Sequence, residues 1–149
     1  MSTIEFKILT AEHLPEVLKI EKASFGDPWP ESAFRDLMIQ FRTNWVALQD
    51  DRVAGYLVSQ WVLDEIHILN IAVAKRDQRA GVASRILEFL IAAGTKRTMR
   101  DLFLEVRESN LAAQKLYEKF GFTLLSTRKA YYPDGESALI LHKRIPRAK

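Results

Sequence analysis

Three stretches of this chain carry residue types that could do chemistry. In the first, Gln78-Arg79-Ala80-Gly81-Val82-Ala83, a glycine turn separates an apolar run, residues 66–73, from an amphipathic run that starts at Val82. Strand, tight turn and helix start, in that order, leave backbone N–H groups at the positive end of a helix dipole, where they hold phosphate without a lysine. No Gly-Lys-Ser/Thr follows Gly81, and the stretch has only one glycine, so it is neither a P-loop nor a dinucleotide fingerprint. An ordinary turn before a helix reads the same way. The second stretch, residues 102–107, alternates, with Leu102, Leu104 and Val106 on one face and Phe103, Glu105 and Arg107 on the other. Glu105 is either an exposed glutamate paired with Arg107 or a general base at the edge of a cleft, where partial burial tunes its proton affinity. The third is the helical pattern of Ala113, Leu116, Tyr117 and Phe120, which makes Tyr117 a core tyrosine whose hydroxyl needs a partner if buried. Asn110, just ahead of it, is an N-cap candidate.

Other chemistries are narrowed by what the chain contains. It has no cysteine, which excludes disulfides, thiolate catalysis and cysteine metal sites. Its three histidines, His13, His67 and His142, are far apart and lack metal-ligand spacing. At 149 residues, 48% hydrophobic and 28% charged, it reads as a single globular domain over 1–149. No apolar run approaches a membrane span, and the first ten residues lack a secretory apolar core, so the expected location is cytoplasmic. The net charge of +3 is concentrated late, at Arg128, Lys129, Lys143, Arg144, Arg147 and Lys149. That is either a solvated basic surface or one that helps to hold a polyanion. No RNA-recognition motif appears, so direct nucleic-acid binding is not expected.

The elements that must position these residues follow from periodicity. Residues 4–9 alternate as a strand, and Thr10 caps a helix over 11–24, with Pro15 in its first turn and Leu14, Val17, Leu18 and Glu21 at helical spacing. Gly26-Asp27-Pro28-Trp29-Pro30 breaks that helix, and a second follows over 31–40. Residues 45–48 and 53–63 form a hairpin, and 65–74 is a strand apolar on both faces, hence central. From Val82, the stripe Ile86, Phe89, Leu90, Ala93 marks a helix stopped at Gly94. A strand over 102–107, a helix over 110–120 ended by Gly121, and two strands over 122–131 and 138–145 joined through Pro133-Asp134-Gly135 complete the chain. The order β-α-α-β-β-β-α-β-α-β-β predicts an α/β domain: a mixed, mostly antiparallel central sheet flanked by helices, with a parallel crossover through 81–96.

These pieces together resemble one superfamily. Gln78-x-x-Gly81-x-Ala83 is similar to the Gln/Arg-x-x-Gly-x-Gly/Ala signature of GNAT acetyltransferases, placed after their central strand and before their long helix. The resemblance spans essentially the whole chain. It is most specific at Asn70-Ile71-Ala72-Val73, at Leu104-Glu105-Val106-Arg107-Glu108-Ser109-Asn110 and at Leu116-Tyr117-Glu118-Lys119-Phe120-Gly121-Phe122. With Val62-Leu63-Asp64-Glu65 and Tyr131-Tyr132-Pro133-Asp134-Gly135, these segments look like the RimI-type ribosomal-protein alanine N-acetyltransferases.

The resemblance implies a GNAT fold, acetyl-CoA as co-substrate and no metal. The implied reaction is acetyl transfer to the N-terminal α-amine of a protein, an alanine of a small-subunit ribosomal protein. Other protein N-termini, lysine side chains or a small amine are the alternative acceptors within the superfamily. The resemblance also implies Glu105 as base and Tyr117 as general acid. Acetyl-CoA contacts are implied at Ile71, Ala72 and Val73, at Arg79, Ala80, Gly81, Val82, Ala83 and Ser84, and at Asn110. Without a cysteine to carry the acetyl group, direct attack in a ternary complex is expected. The turn at Tyr131 and Tyr132 and the loop around Trp29 either wall an extended peptide or serve packing.

Overall fold

The strands of the protein form one hydrogen-bonded ladder in the order β1-β2-β3-β4-β5-β7-β6, where β1 is Ile4–Ile8, β2 Asn44–Gln49, β3 Arg52–Val62, β4 Glu65–Val73, β5 Asp101–Arg107, β6 Thr123–Arg128 and β7 Ala138–Arg144. The helices are α1 (Leu14–Ser24), α2 (Glu31–Gln40), α3 (Val82–Lys96) and α4 (Leu111–Lys119). These features come from a computed structural model that describes residues 3–148. Pairing is parallel between β4 and β5, as the crossover pattern predicts, and antiparallel for β1 with β2, β2 with β3, β5 with β7 and β6 with β7. The described residues fall into two compact units, one of those up to Gln60 with Asn70–Phe89 and one of Trp61–Leu69 with those from Leu90 onward.

In the first unit, β2 alternates across the sheet. Trp45 meets Phe89 of α3 edge-on at 5.3 Å, and Phe89 also stacks on Phe6 at 4.3 Å. Val46 and Leu48 join Leu14, Val17 and Ile20 of α1 and Phe34 of α2 in a separate apolar cluster. Helices thus cover both faces of β2, which is buried along nearly its whole length, and β3 is buried from Val53 to Ser59. The pattern of two buried faces was expected for residues 65–74 instead. Strand β4 does sit centrally, but its burial alternates and Leu69 is exposed.

The hairpin between β2 and β3 turns on Asp50 and Asp51, both left-handed at φ 52° and 64°. Two such residues match the twist of the flanking strands, and aspartate tolerates that conformation well. Thr10 precedes a 3-10 turn over Ala11–His13 rather than α1 itself, and its N–H donates to His13 Nδ1 at 3.0 Å.

In the second unit, Leu102, Leu104 and Val106 are buried on one face of β5, as the alternation predicts. Phe103, on the other face, is flanked by the rings of His67 at 5.0 Å and His142 at 4.9 Å. Gly94 does not stop α3, which runs two residues further to Lys96. Its role is space: a Cβ there would stand 3.0 Å from Ile66 Cδ1 and 3.2 Å from Ile145 Cδ1. The penultimate strand is shorter than the expected 122–131, ending at Arg128.

Gly55 has the tightest surroundings. A Cβ there would lie 2.8 Å from the Ala72 carbonyl oxygen and 3.1 Å from Ile86 Cδ1. Backbone cannot yield as a flexible side-chain end can. Gly55→Ala should therefore lower stability by about 1–3 kcal/mol, read as a lower midpoint in urea. An unchanged midpoint would mean that β3 and β4 can separate freely at this point.

Candidate active site

The glycine turn is held by hydrogen bonds around a 3-10 turn at Lys75–Asp77. The Ala74 N–H donates to the Ala54 carbonyl at 2.7 Å, the Asp77 N–H to Ala74 at 2.8 Å and the Ala80 N–H to Asp77 at 3.3 Å. Gln78 Nε2 donates to the carbonyl of Val73 at 3.4 Å, so the glutamine of the motif braces the end of β4. Beneath the turn lies an ion pair that sequence reasoning missed. Arg52 Nη1 and Nη2 donate to Asp77 Oδ2 and Oδ1 at 2.6 and 2.9 Å, a fork-to-fork contact with a buried carboxylate. Hydrogen bonding from Arg52 holds the Asp77 carboxyl below the usual carboxylate range, against the opposing effect of burial.

Arg79 is left-handed at φ 68° and Gly81 at φ 79°, and α3 starts at Val82. The first N–H groups of a helix have no partner inside it. Those near Val82, Ala83 and Ser84 therefore have a conformational reason to receive an anion, and a Cβ on Gly81 would meet nothing within 4 Å. Ala80 is exposed, Ala83 and Ser84 are half-buried, and Val82 anchors the turn in the core. Ile71 and Val73 are half-buried at the end of β4, with Ala72 buried between them. Open space over a left-handed glycine, small neighbours and a helix start fit a pyrophosphate.

Glu105, Asn110 and Tyr117 lie in the second unit. Glu105 is on β5, with a side chain 36% exposed, and Arg128 Nη1 stands 3.6 Å from its Oε1. Arg128 is thus an ion partner of Glu105 that the sequence did not suggest. Arg107 is held by Asp134 at 2.9 Å and Glu136 at 3.0 Å and lies over the Tyr132 ring, 4.0 Å from the centroid. Asn110 caps α4 as expected, its Oδ1 accepting from the Ala113 N–H at 3.1 Å.

Tyr117 is the buried residue of α4 and meets Phe122 edge-on at 5.5 Å. Burial pushes its phenol up to about 12, so it keeps its proton at neutral pH. Among the described residues no sealed side-chain nitrogen or oxygen lacks a hydrogen-bond partner. Nor is there a group of three or more His, Asp or Glu that could hold a metal ion, or a helix long and apolar enough to cross a membrane.

The model of the acetyltransferase (GNAT) family matches residues 14–122, most of the chain. The protein belongs to this family. Among GNAT proteins it is 39% identical over 144 residues, 95% of this chain and 96% of the relative, to the [ribosomal protein bS18]-alanine N-acetyltransferase of Salmonella typhimurium. It is also 39% identical over 136 residues to the enzyme of the same name from Escherichia coli, covering 89% of this chain and 92% of that one. The crystal structure of the ribosomal-protein-S18-alanine N-acetyltransferase from Escherichia coli superposes with a TM-score of 0.90 at 37% identity, covering 99% and 97% of the two chains. Ard1 from Thermoplasma volcanium, at 23% identity and a TM-score of 0.92, shares the fold. Acetyl-CoA is accordingly the co-substrate of this GNAT chain.

Trp29 and Glu21 complete the inventory. Trp29 is half-buried, packs on Phe34 at 5.4 Å and donates its N–H to Glu21 Oε2 at 2.8 Å. Glu21 had been visible only as a helical-stripe residue. Its signal was a carboxylate placed among Leu14, Val17 and Leu18.

The Arg52–Asp77 pair predicts a pH dependence. A carboxyl lowered in the folded state stabilises above its unfolded value of about 3.9, and that contribution is lost as pH falls through the lower native value. The gap in urea midpoint between wild type and Asp77→Asn should be full at neutral pH and close progressively below about pH 4. A gap that persisted in acid would rule out the ion pair as its source.

Proposed function

We propose that this chain, acting over 1–149 as one catalytic domain, transfers the acetyl group of acetyl-CoA to the N-terminal alanine of ribosomal protein bS18. The observation that carries this reading is the 39% identity to the Salmonella typhimurium enzyme across 95% of this chain and 96% of that one.

In this reading the N–H groups from Arg79 to Ser84 hold the pyrophosphate, and Asn110 adds a polar contact. Open space at Gly81 and its left-handed backbone support that role. The backbone at Ile71, Ala72 and Val73 lines the acyl arm, where N–H groups would steady the oxyanion. Acetyl-CoA supplies an acetyl group already activated as a thioester.

Glu105 removes a proton from the substrate's α-ammonium, whose reference pKa of about 7.7–8.0 asks little of the base. The neutral amine attacks the acetyl carbon to form the C–N bond and a tetrahedral oxyanion. Its nitrogen gives its excess proton to solvent, and collapse of the oxyanion breaks the C–S bond. Tyr117 donates its proton to the departing sulfur, and both groups then exchange protons with solvent. A phenol held at about 12 is protonated before each turnover, which suits a donor rather than a base. Tyr131, Tyr132 and the loop at Trp29 wall the peptide.

Glu105→Gln and Tyr117→Phe should each lower kcat by roughly 10²–10⁴ on an alanine-initiated peptide, with acetyl-CoA binding retained. Wild-type kcat in both would end the assignment of roles. Gly81→Ala places a methyl group in the open cradle at a left-handed position, so KM for acetyl-CoA should rise while the peptide KM holds. Mass spectrometry of ribosomal protein N-termini from a deletion strain tests the acceptor. Loss of one acetyl group, on bS18, is the expected result, and an unchanged set of N-termini would sink the ribosomal assignment.

A further inference from the structure

Glu105 is met by two groups that move no proton in the reaction just described. Arg128, the last residue of β6, places Nη1 3.6 Å from the Glu105 carboxylate and lies over the Tyr131 ring, 5.5 Å from its centroid. The Glu105 carboxylate holds the Tyr131 phenol above its ordinary pKa. The Arg128 guanidinium thus spans the carboxylate and the ring. The strands explain why: Arg107 on β5 and Arg128 on β6 both pair with Ala138 of β7, one from each side. The pleat sets Glu105 two residues from Arg107 on the same face.

The two arginines differ in how firmly they are held. Arg107 is 27% exposed and bridges two carboxylates, Asp134 and Glu136, beneath Tyr132. Arg128 is 59% exposed, and the carboxylate it faces is 36% exposed. Contacts of this second kind are weak, are screened by salt and exchange readily.

We propose that Arg128 is a displaceable stand-in for the substrate's α-ammonium, a cation resting on Glu105 in the free protein that a cationic amine must replace. It is a specificity-determining residue that acts through Glu105. An incoming α-ammonium takes over both the carboxylate and the face of Tyr131, since a positive charge over a phenol ring is attracted to it whichever group carries it. An amine that arrives neutral gains no charge contact in exchange for displacing Arg128. This inference rests on the reading of Glu105 as the group that receives the α-amine.

The test compares wild type, Arg128→Gln and Arg128→Lys on an alanine-initiated peptide, with KM and kcat from initial rates and peptide Kd from calorimetry. Loss of the competing cation should lower KM and Kd roughly two- to fivefold in Arg128→Gln. Arg128→Lys should stay near wild type, and added salt should narrow the gap. In the Glu105→Gln background the effect of Arg128→Gln on Kd should vanish. A rise in KM would make Arg128 a direct peptide contact and overturn the proposal. An unchanged Kd, with or without a fall in thermal stability, would overturn it as well. Wild-type kcat in Glu105→Gln would instead remove the base assignment, while the Kd cycle, which needs no turnover, would still report whether Arg128 and Glu105 are coupled.

Discussion

A buried carboxylate organises the first compact unit. Glu21 is 1% exposed, and a charge taken that far from water is costly unless donors surround it. Three donors do. The Tyr56 hydroxyl comes from β3, Asn70 Nδ2 from β4 at 2.7 Å, and the Trp29 N–H from the segment before α2 at 2.8 Å. Burial pushes the Tyr56 phenol up, and hydrogen bonding to Glu21 adds to the shift, so it remains a donor at any working pH. One side chain of α1 thereby sets where two strands and a loop stand. Asn70 immediately precedes the Ile71–Val73 segment, and Trp29 belongs to a proposed peptide wall, so the same carboxylate registers both.

The candidate functional groups divide by kind. Those that would hold a cofactor through backbone, at Ile71 to Val73 and Arg79 to Ser84, lie in the first unit. Those that would move protons with side chains, Glu105 and Tyr117, lie in the second. The backbone group is stiffened by an ion pair, Arg52 with Asp77, and by the turn's own hydrogen bonds. The side-chain group relies on a cap at Asn110, an alternating strand and a ring packed on Phe122. Each device is local, and each acts on a different risk: strain in a left-handed turn, fraying at a helix start, and ionisation of a phenol.

Local features were the ones legible in the sequence. The alternation of residues 102–107, the cap at Asn110 and the turn before Val82 depend on neighbours a few positions away, and all are found. The mixed sheet and its parallel crossover follow from the order of the elements. What escaped depends on contacts distant in sequence. Gly94 resembles a helix stop, yet its small size serves Ile66 and Ile145. Arg107 is the near neighbour on the face of Glu105, yet that carboxylate also meets Arg128, 23 positions further on, because β7 lies between β5 and β6. An apolar run at 65–74 cannot reveal whether helices will cover both of its faces. A helical stripe containing Glu21 records a position, and its donors come from elsewhere.

The final strand to join the ladder has a consequence for the molecule among other molecules. Every residue of β6 is exposed, and Leu124 and Leu125 are each 59% exposed at the rim of the sheet. A straight rim of that composition invites foreign strands to extend it, the first step toward insoluble assemblies. Here the register with β7 slips between Leu124 and Ser126, bending the ladder where the leucines stand, and the strand closes on Arg128 followed by Lys129. The irregularity and the positive charges raise the cost of adding another chain, which lets a solvent-facing strand carry leucine in a crowded solution.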